Sequence, residues 1–180
     1  MTTPETRSAP AMRIRPATLA DAATLTDLGA RTFRDTFAAD NTPENVEAFL
    51  ASHYRPDLQE AELREPRNLY LLAEVSGVPA GFALLRDGAR EQGVRAEHPL
   101  HLSRLYVDRA FLGARVGAAL MSRCLEEGRA RGHDVLWLGV WEHNARARAF
   151  YARWGFTEVG EMRFLFGNDP QRDLVLALTL

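Results

Sequence analysis

A single α/β (α+β) domain built on one mixed sheet is the fold class this sequence predicts, and three observations lead there. The first third of the chain is written in helical period, with apolar side chains at Leu19, Ala22, Leu25, Leu28, Phe33 and Phe37. From Asn68 the texture turns to strand-like runs punctuated by turn residues, and between Leu100 and Trp154 strand and helix patterns alternate. Length and composition, 180 residues with 46% hydrophobic and 26% charged, suit one globular domain able to bury its own core.

Residues Met1 to Ala11 mix Thr, Pro, Ser and charge without apolar period and read as a disordered tail, so the domain is expected over residues 12–180. A short strand over Met12 to Arg15 precedes the first helix, for which Thr18 or Asp21 offers a cap. Asn41-Thr42-Pro43-Glu44 combines a capping residue, a proline near the first helical position and an acidic first turn, which opens a second helix running to about Tyr54. Pro56 to Glu65 adds a short third. LYLLAEV, the turn SGVP and AGFALLRDG read as a β-hairpin, and Asp87 to Pro99 as a mobile surface loop or an irregular strand extension. Strand Leu100 to Val107, helix Val116 to Arg131, strand Val135 to Trp141 and helix Ala145 to Trp154 follow. Two last strands, Phe156 to Phe166 and Asp173 to Leu180, flank the turn residues Gly167 to Pro170.

Composition narrows the chemistry. All 22 basic residues are arginines, so Schiff-base catalysis and a lysine-bearing phosphate loop are excluded. The one cysteine, Cys124, cannot form an internal disulfide and reads as a small apolar helix residue, which suits a reducing cytoplasm. No apolar run approaches a membrane span, so no membrane partner is expected. His98 and His101 are three apart but lack a second ligand pair, so no metal is assigned. Charge is unevenly spread: eleven arginines face fifteen carboxylates in residues 1–103, nine face five in 104–153, and two face four in 154–180. A positive middle segment attracts an anionic cofactor and a negative remainder a cationic acceptor. The net charge of −2 does not favour nucleic acid.

The strand ending at Val107, the turn DRAFLGARVG and the helix behind it predict an anion site, because unpaired amides and the positive helix terminus converge there. Two glycines four apart, Gly113 and Gly117, fit a plain turn as well as a phosphate cradle. Downstream, Asn144, Ala147, Phe150, Tyr151, Gly155 and Phe156 form the pattern N-x-x-A-x-x-F-Y-x-x-x-G-F. With that pattern the chain from Met12 onward resembles the GCN5-related N-acetyltransferase (GNAT) superfamily. It looks closest to the PaiA-like polyamine acetyltransferases in the stretches Thr32 to Leu50, Arg104 to Val107, Leu138 to Asn144 and Gly167 to Leu176.

The resemblance implies a central mixed sheet of about seven strands flanked by helices, with acetyl-coenzyme A as cosubstrate where the fourth and fifth strands splay apart. It places strand contacts on Leu105, Tyr106 and Val107, and loop contacts on Leu112, Gly113, Ala114, Arg115, Val116 and Gly117. Leu112 stands where the family carries Gln or Arg, and Arg115 where it carries Gly. Backbone donors survive such changes, and the Arg115 guanidinium offers a phosphate contact of its own. Asn144 is read either as a pantetheine contact or as a helix cap.

Acetyl transfer needs a neutral amine, stabilisation of the developing oxyanion and a proton for the departing thiolate. Tyr151 is the expected general acid, since a phenol stays protonated at neutral pH. No base is named, because His101 and Ser103 occupy the strand positions where the related enzymes carry carboxylates; either could relay protons through water. Trp141, at the expected splay, together with Asp35 and Glu142, is assigned to the acceptor; Asp40, Glu44 and Glu47 are further carboxylates for an ammonium group. The expected activity is N-acetylation of a small primary amine, a polyamine such as spermidine or spermine. Acetylation of a protein, a peptide or another small amine is the alternative, and a non-catalytic acyl-coenzyme A sensor lies outside that class. A homodimer is expected through the apolar C-terminal LVLALTL at a sheet edge.

Overall fold

A computed structural model describes residues 11–167 and 169–180. The proposed tail lies outside the described residues save Ala11, whose carbonyl accepts from the Ser76 N–H at 2.9 Å. The chain runs β1 (Met12–Pro16), α1 (Ala22–Phe37), α2 (Pro43–His53), α3 (Pro56–Arg64), β2 (Asn68–Val75) and β3 (Val78–Asp87). It continues through β4 (Pro99–Val107), α4 (Val116–Ala130), β5 (Val135–Trp141), α5 (Ala145–Arg153), β6 (Thr157–Phe166) and β7 (Asp169–Thr179). One turn of 3-10 helix precedes α1 and another, Arg109–Phe111, leads into α4.

The elements begin and end where local chemistry requires. Thr42 caps α2 by accepting from the Asn45 N–H at 3.3 Å, with Pro43 at the first helical position. Asp21 binds the backbone N–H of Thr18 at 2.7 Å and pairs with Arg15, which holds its carboxyl down at about 2 and ties β1 to the start of α1. The β2–β3 hairpin turns on Ser76-Gly77, both at positive φ, so Val78 and Pro79 belong to the strand and not to the turn. The loop between β3 and β4 is not free. Trp137 donates its indole N–H to Ala89 O at 2.8 Å, and Arg90 bonds Ala96 O and Glu97 O at 3.0 and 2.8 Å.

All seven strands form one sheet in the order β1-β2-β3-β4-β5-β7-β6. Every neighbouring pair is antiparallel except β4 and β5, which run parallel and pair only at Pro99 to His101 with Val135 to Trp137. Beyond that short contact β4 stays with β3 and β5 with β7, so the sheet opens into a wedge. Two buried clusters cover its faces. One centres on Leu120, Met121, Cys124, Leu136 and Leu138 beneath α4; the other on Leu25, Leu28, Phe33, Phe82 and Phe166 beneath α1 and α2.

The sheet order corrects the expected dimer contact. β7, which carries most of LVLALTL, lies between β5 and β6, and the edges are β1 and β6. Because the β6–β7 hairpin turns back at Gly167, the last strand is inserted inside the sheet, and its hydrogen-bonding groups are taken by neighbours on both sides.

Candidate active site

The wedge forms the head of a cleft of about 1050 Å³ that runs from the α4 N-terminus to the underside of α1 and α2. The half nearest α4 is made largely of backbone. Asp108 N–H donates to Ala80 O at 2.9 Å, so in this antiparallel ladder Tyr106 is the next residue bonded toward β3. Leu105 and Val107 therefore turn their N–H and C=O groups into the wedge. On the opposite wall Glu142 N–H donates to Arg172 O at 3.1 Å, which by the same alternation turns the backbone of Gly139 into the gap.

Past Val107, Asp108 folds the chain into the 3-10 turn by accepting from the Ala110 N–H at 2.9 Å. Gly113 and Arg115 then both take positive φ, 88° and 62°, and this curls the segment onto the start of α4. The left-handed conformation of Arg115 costs a side-chain-bearing residue roughly 1 to 2 kcal/mol, at the place where the resemblance leads one to expect glycine. The N–H groups of Gly113, Arg115, Val116, Gly117 and Ala118 find no acceptor among the described residues. These amides make a nest suited to phosphate oxygens. The structure separates Leu112 and Ala114 from that set. Their N–H groups already donate to Arg109 O at 3.3 Å and Phe111 O at 3.1 Å, the first closing the 3-10 turn and the second the turn that follows it, and Ala114 does not line the cleft.

Arg109, Arg115, Arg146 and Arg153 line the same half with no carboxylate partner among the described residues. Asn144 is the cap of α5, its Oδ1 accepting from Ala147 N–H at 3.1 Å, and its side chain borders the cleft. Tyr151 is 8% exposed, packed edge-on against Phe150 and Phe156, and its hydroxyl meets the cleft without a hydrogen-bond partner among the described residues. Burial raises its pKa further above 10, so the phenol is fully protonated at neutral pH.

The half beneath α1 and α2 is made of side chains from distant segments. Trp141, Phe37 and Phe166 form one aromatic wall, and Asp35 stands exposed at the α1 rim. Glu142 is turned away. Alternation along β5 sends it to the opposite face from Trp141, where it pairs with Arg172 at 3.3 Å and does not line the cleft. Glu47 is likewise engaged, held by Arg34 at 3.0 Å, and neither Asp40 nor Glu44 reaches the cleft. His101 stacks on Trp137 at 3.9 Å outside the cleft, and burial lowers its pKa to about 4, so it is neutral. Ser103 lines the cleft at a bulge, where Leu84 pairs with Arg104 and Leu85 with Leu102. No group of three metal-ligating side chains occurs among the described residues.

Sequence reasoning missed two features of this half. Glu62 accepts from Arg104 at 2.7 Å, from Arg86 at 2.6 Å and from Tyr70, closing the cleft floor with an ion network of net positive charge. The charged Arg104 within an apolar strand was its one signal. Asp173, half-buried on β7, lines the cleft as well, and its signal was a carboxylate in the alternation that carries Val175 and Ala177.

A strand pair that parts beside an amide nest, with a protonated phenol facing the gap, is the layout of an acyl transferase that draws on coenzyme A. The model of the Acetyltransferase (GNAT) family matches residues 32–156, and the chain belongs to this family. It is an N-acetyltransferase with acetyl-coenzyme A as cosubstrate. An uncharacterised N-acetyltransferase of Lactobacillus delbrueckii is 36% identical over 154 residues, covering 85% of this chain and 88% of the relative. The PaiA N-acetyltransferase of Thermoplasma acidophilum, solved with coenzyme A, superposes with a TM-score of 0.79 at 20% identity, over 94% of this chain and 99% of that one. YncA of Salmonella typhimurium, a putative acetyltransferase solved with acetyl-coenzyme A, gives a TM-score of 0.65 at 26% identity over 94% of each chain. No helix among the described residues is long and apolar enough to cross a membrane.

Proposed function

We propose that the acceptor is a short aliphatic polyamine such as spermidine or spermine, and that Tyr151 supplies the proton for the departing thiolate. The observation that carries this reading is the meeting, in one cleft, of a partnerless phenol and a wall whose lining carboxylates and aromatic rings suit an ammonium-bearing chain. Five partnerless amides at Gly113 and Arg115 to Ala118 hold the pyrophosphate, and the unpaired arginines nearby add positive charge for the remaining phosphate. Leu105 and Val107 align the pantetheine arm as an extra strand aligns on a free edge. The Val107 N–H polarises the acetyl carbonyl, and Asn144 borders the pantetheine while capping α5. The bound cosubstrate supplies an activated acetyl thioester.

In the acceptor half one nitrogen of the polyamine sits at the wedge while another ammonium remains charged toward Asp35 at the rim, with Trp141 and Phe37 against the methylenes. The buried thiol of Cys124, raised to about 12 by burial, takes no part. A free buried thiol supports a reducing, cytoplasmic setting. Thiol release with a panel of spermidine, spermine, 1-butylamine and an alanine-initiated peptide tests the acceptor. A higher kcat/KM for spermidine than for 1-butylamine supports the polyamine; equal values, or turnover of the peptide alone, replace it with another amine.

A further inference from the structure

Three carboxylates line the cleft: Asp35, Glu62 and Asp173. Asp35 is exposed, and Glu62 is saturated by Arg86, Arg104 and Tyr70. Asp173 is half-buried and has neither a hydrogen-bond donor nor an ion-pair partner among the described residues. Leaving a carboxylate partly desolvated and unpaired costs free energy, so its natural partner is a group that enters the cleft.

Its position is specific. Asp173 is directly opposite Trp141 on β5 and Met162 on β6, all three on the face that looks toward α1 and α2. Its Oδ2 and Cβ lie 3.5 and 3.8 Å from where a side chain on Gly139 would begin, so the side chain packs over the bare surface that Gly139 leaves on β5, the strand that borders the wedge. Any side chain at 139 would cover that oxygen and also press on Met162 Sδ at 3.1 Å.

The same face of the sheet supplies no competing charge. On the same face of the flanking strands stand Gly139, Trp141, Met162 and Phe164, and on β7 itself Gln171. Arg163, Arg172, Glu161 and Glu142 occupy the other face of the β5–β7–β6 sheet. Across the cleft the ionisable groups are Asp35 on α1, His53 and Tyr54 at the end of α2, Glu62 on α3 and Tyr151 on α5, with the arginines Arg109, Arg115, Arg146 and Arg153 at the end nearest α4. Arg86, Arg104 and Tyr106 face it from β3 and β4, with both arginines committed to Glu62.

We infer that Asp173 receives the acceptor's reacting ammonium and takes its proton, so that a neutral amine is generated inside the cleft. The nitrogen then forms its bond to the acetyl carbon as the carbon–sulfur bond breaks. Tyr151 gives its hydroxyl proton to sulfur and recovers the nitrogen's second proton, and the proton on Asp173 passes to water. One ammonium and one thioester thus become one amide, one thiol and one released proton. Burial places the pKa of Asp173 at about 6, which leaves it ionised at neutral pH and a better proton acceptor than an exposed aspartate. The inference rests on the Tyr151 reading for the proton on sulfur and is independent of which amine is used.

The test is the pH profile of kcat/KM for parent and Asp173→Asn, with spermidine or, should spermidine not be turned over, the best amine of the panel. Failure of spermidine alone therefore removes the polyamine reading and leaves Asp173 under test. The parent should lose kcat/KM below about pH 6. Asp173→Asn should be lowered at least about tenfold at pH 7 and should rise log-linearly toward the amine's own pKa without the inflection near 6. Calorimetric affinity for acetyl-coenzyme A should stay within about twofold, which reports an intact fold. Affinity of the parent for the amine alone should weaken about tenfold from pH 8 to pH 5, and that of Asp173→Asn should not change. A variant that keeps the inflection, or loses rate at every pH alike, overturns the inference. Should Asp173→Asn fail to fold, Gly139→Ala keeps the charge and covers it: KM for the amine should rise about fivefold with the inflection in place, and an unchanged KM overturns the inference.

Discussion

The two halves of the cleft are built by different means. Around β4, α4 and α5 the free donors that line the cleft are main-chain amides from one continuous stretch between Leu105 and Ala118, with Tyr151 added from the next helix. In the acceptor half, side chains from α1, β5, β6 and β7 converge, and the carboxylate at its centre sits more than a hundred residues from the rim carboxylate Asp35. The first design tolerates side-chain replacement, since every residue except proline carries the same donor. In the second, side chains themselves form the wall, so each replacement changes the surface that an acceptor would meet. This is how one scaffold serves many amines.

The comparison is broken most severely at Tyr151, the side chain proposed to give the thiolate its proton. Tyr151→Phe keeps the ring packing and deletes the proton, so kcat should fall ~10² to 10⁴-fold while acetyl-coenzyme A affinity stays within about twofold. Steady-state kinetics and calorimetry read the two, and a kcat within about threefold, with chemistry rate-limiting, returns Tyr151 to a packing role.

Gly117→Pro challenges the amide nest directly. Proline in the first turn of α4 is tolerated by the helix but lacks the N–H, and a charge-assisted hydrogen bond of roughly 1.5 to 3 kcal/mol is lost. Acetyl-coenzyme A affinity should weaken about tenfold to a hundredfold in a protein whose circular dichroism is unchanged; unaltered affinity removes Gly117 from the cofactor site.

Arg115→Gly sharpens the same question from the side-chain direction. Relief of the left-handed residue should stabilise the fold by about 1 kcal/mol in a denaturant titration. Affinity within about threefold assigns binding at this place to the backbone, whereas a loss of about tenfold assigns a phosphate contact to the guanidinium.

The smallest effects are expected at the carboxylates farthest from the wedge. Asp35→Asn should raise KM for spermidine about threefold and leave 1-butylamine unchanged, an effect that added salt should mimic. Glu142→Gln, on the far face of β5, should change neither by as much as twofold.

How far the sequence could be read follows from the same contrast. Helix and strand positions were legible to within a few residues, because caps such as Thr42 and the period of the apolar positions act locally. The nest was legible because strand, turn and helix are contiguous, although the spending of the Leu112 and Ala114 amides on a 3-10 turn could not be read from residue types. Glu142 was misassigned for a simple reason. Next to Trp141 in the chain, it lies across the sheet from it, since successive strand residues face opposite ways.

The sequence by itself determined the element order, the family and the presence of a phenol and an amide-rich turn one strand apart, because these depend on neighbours along the chain. Only the tertiary structure decided that the last strand enters the sheet between β5 and β6, and with it where Asp173 and Glu142 look. Insertion order and facing are set by long-range pairing and by which face each strand must bury, and neither leaves a local mark.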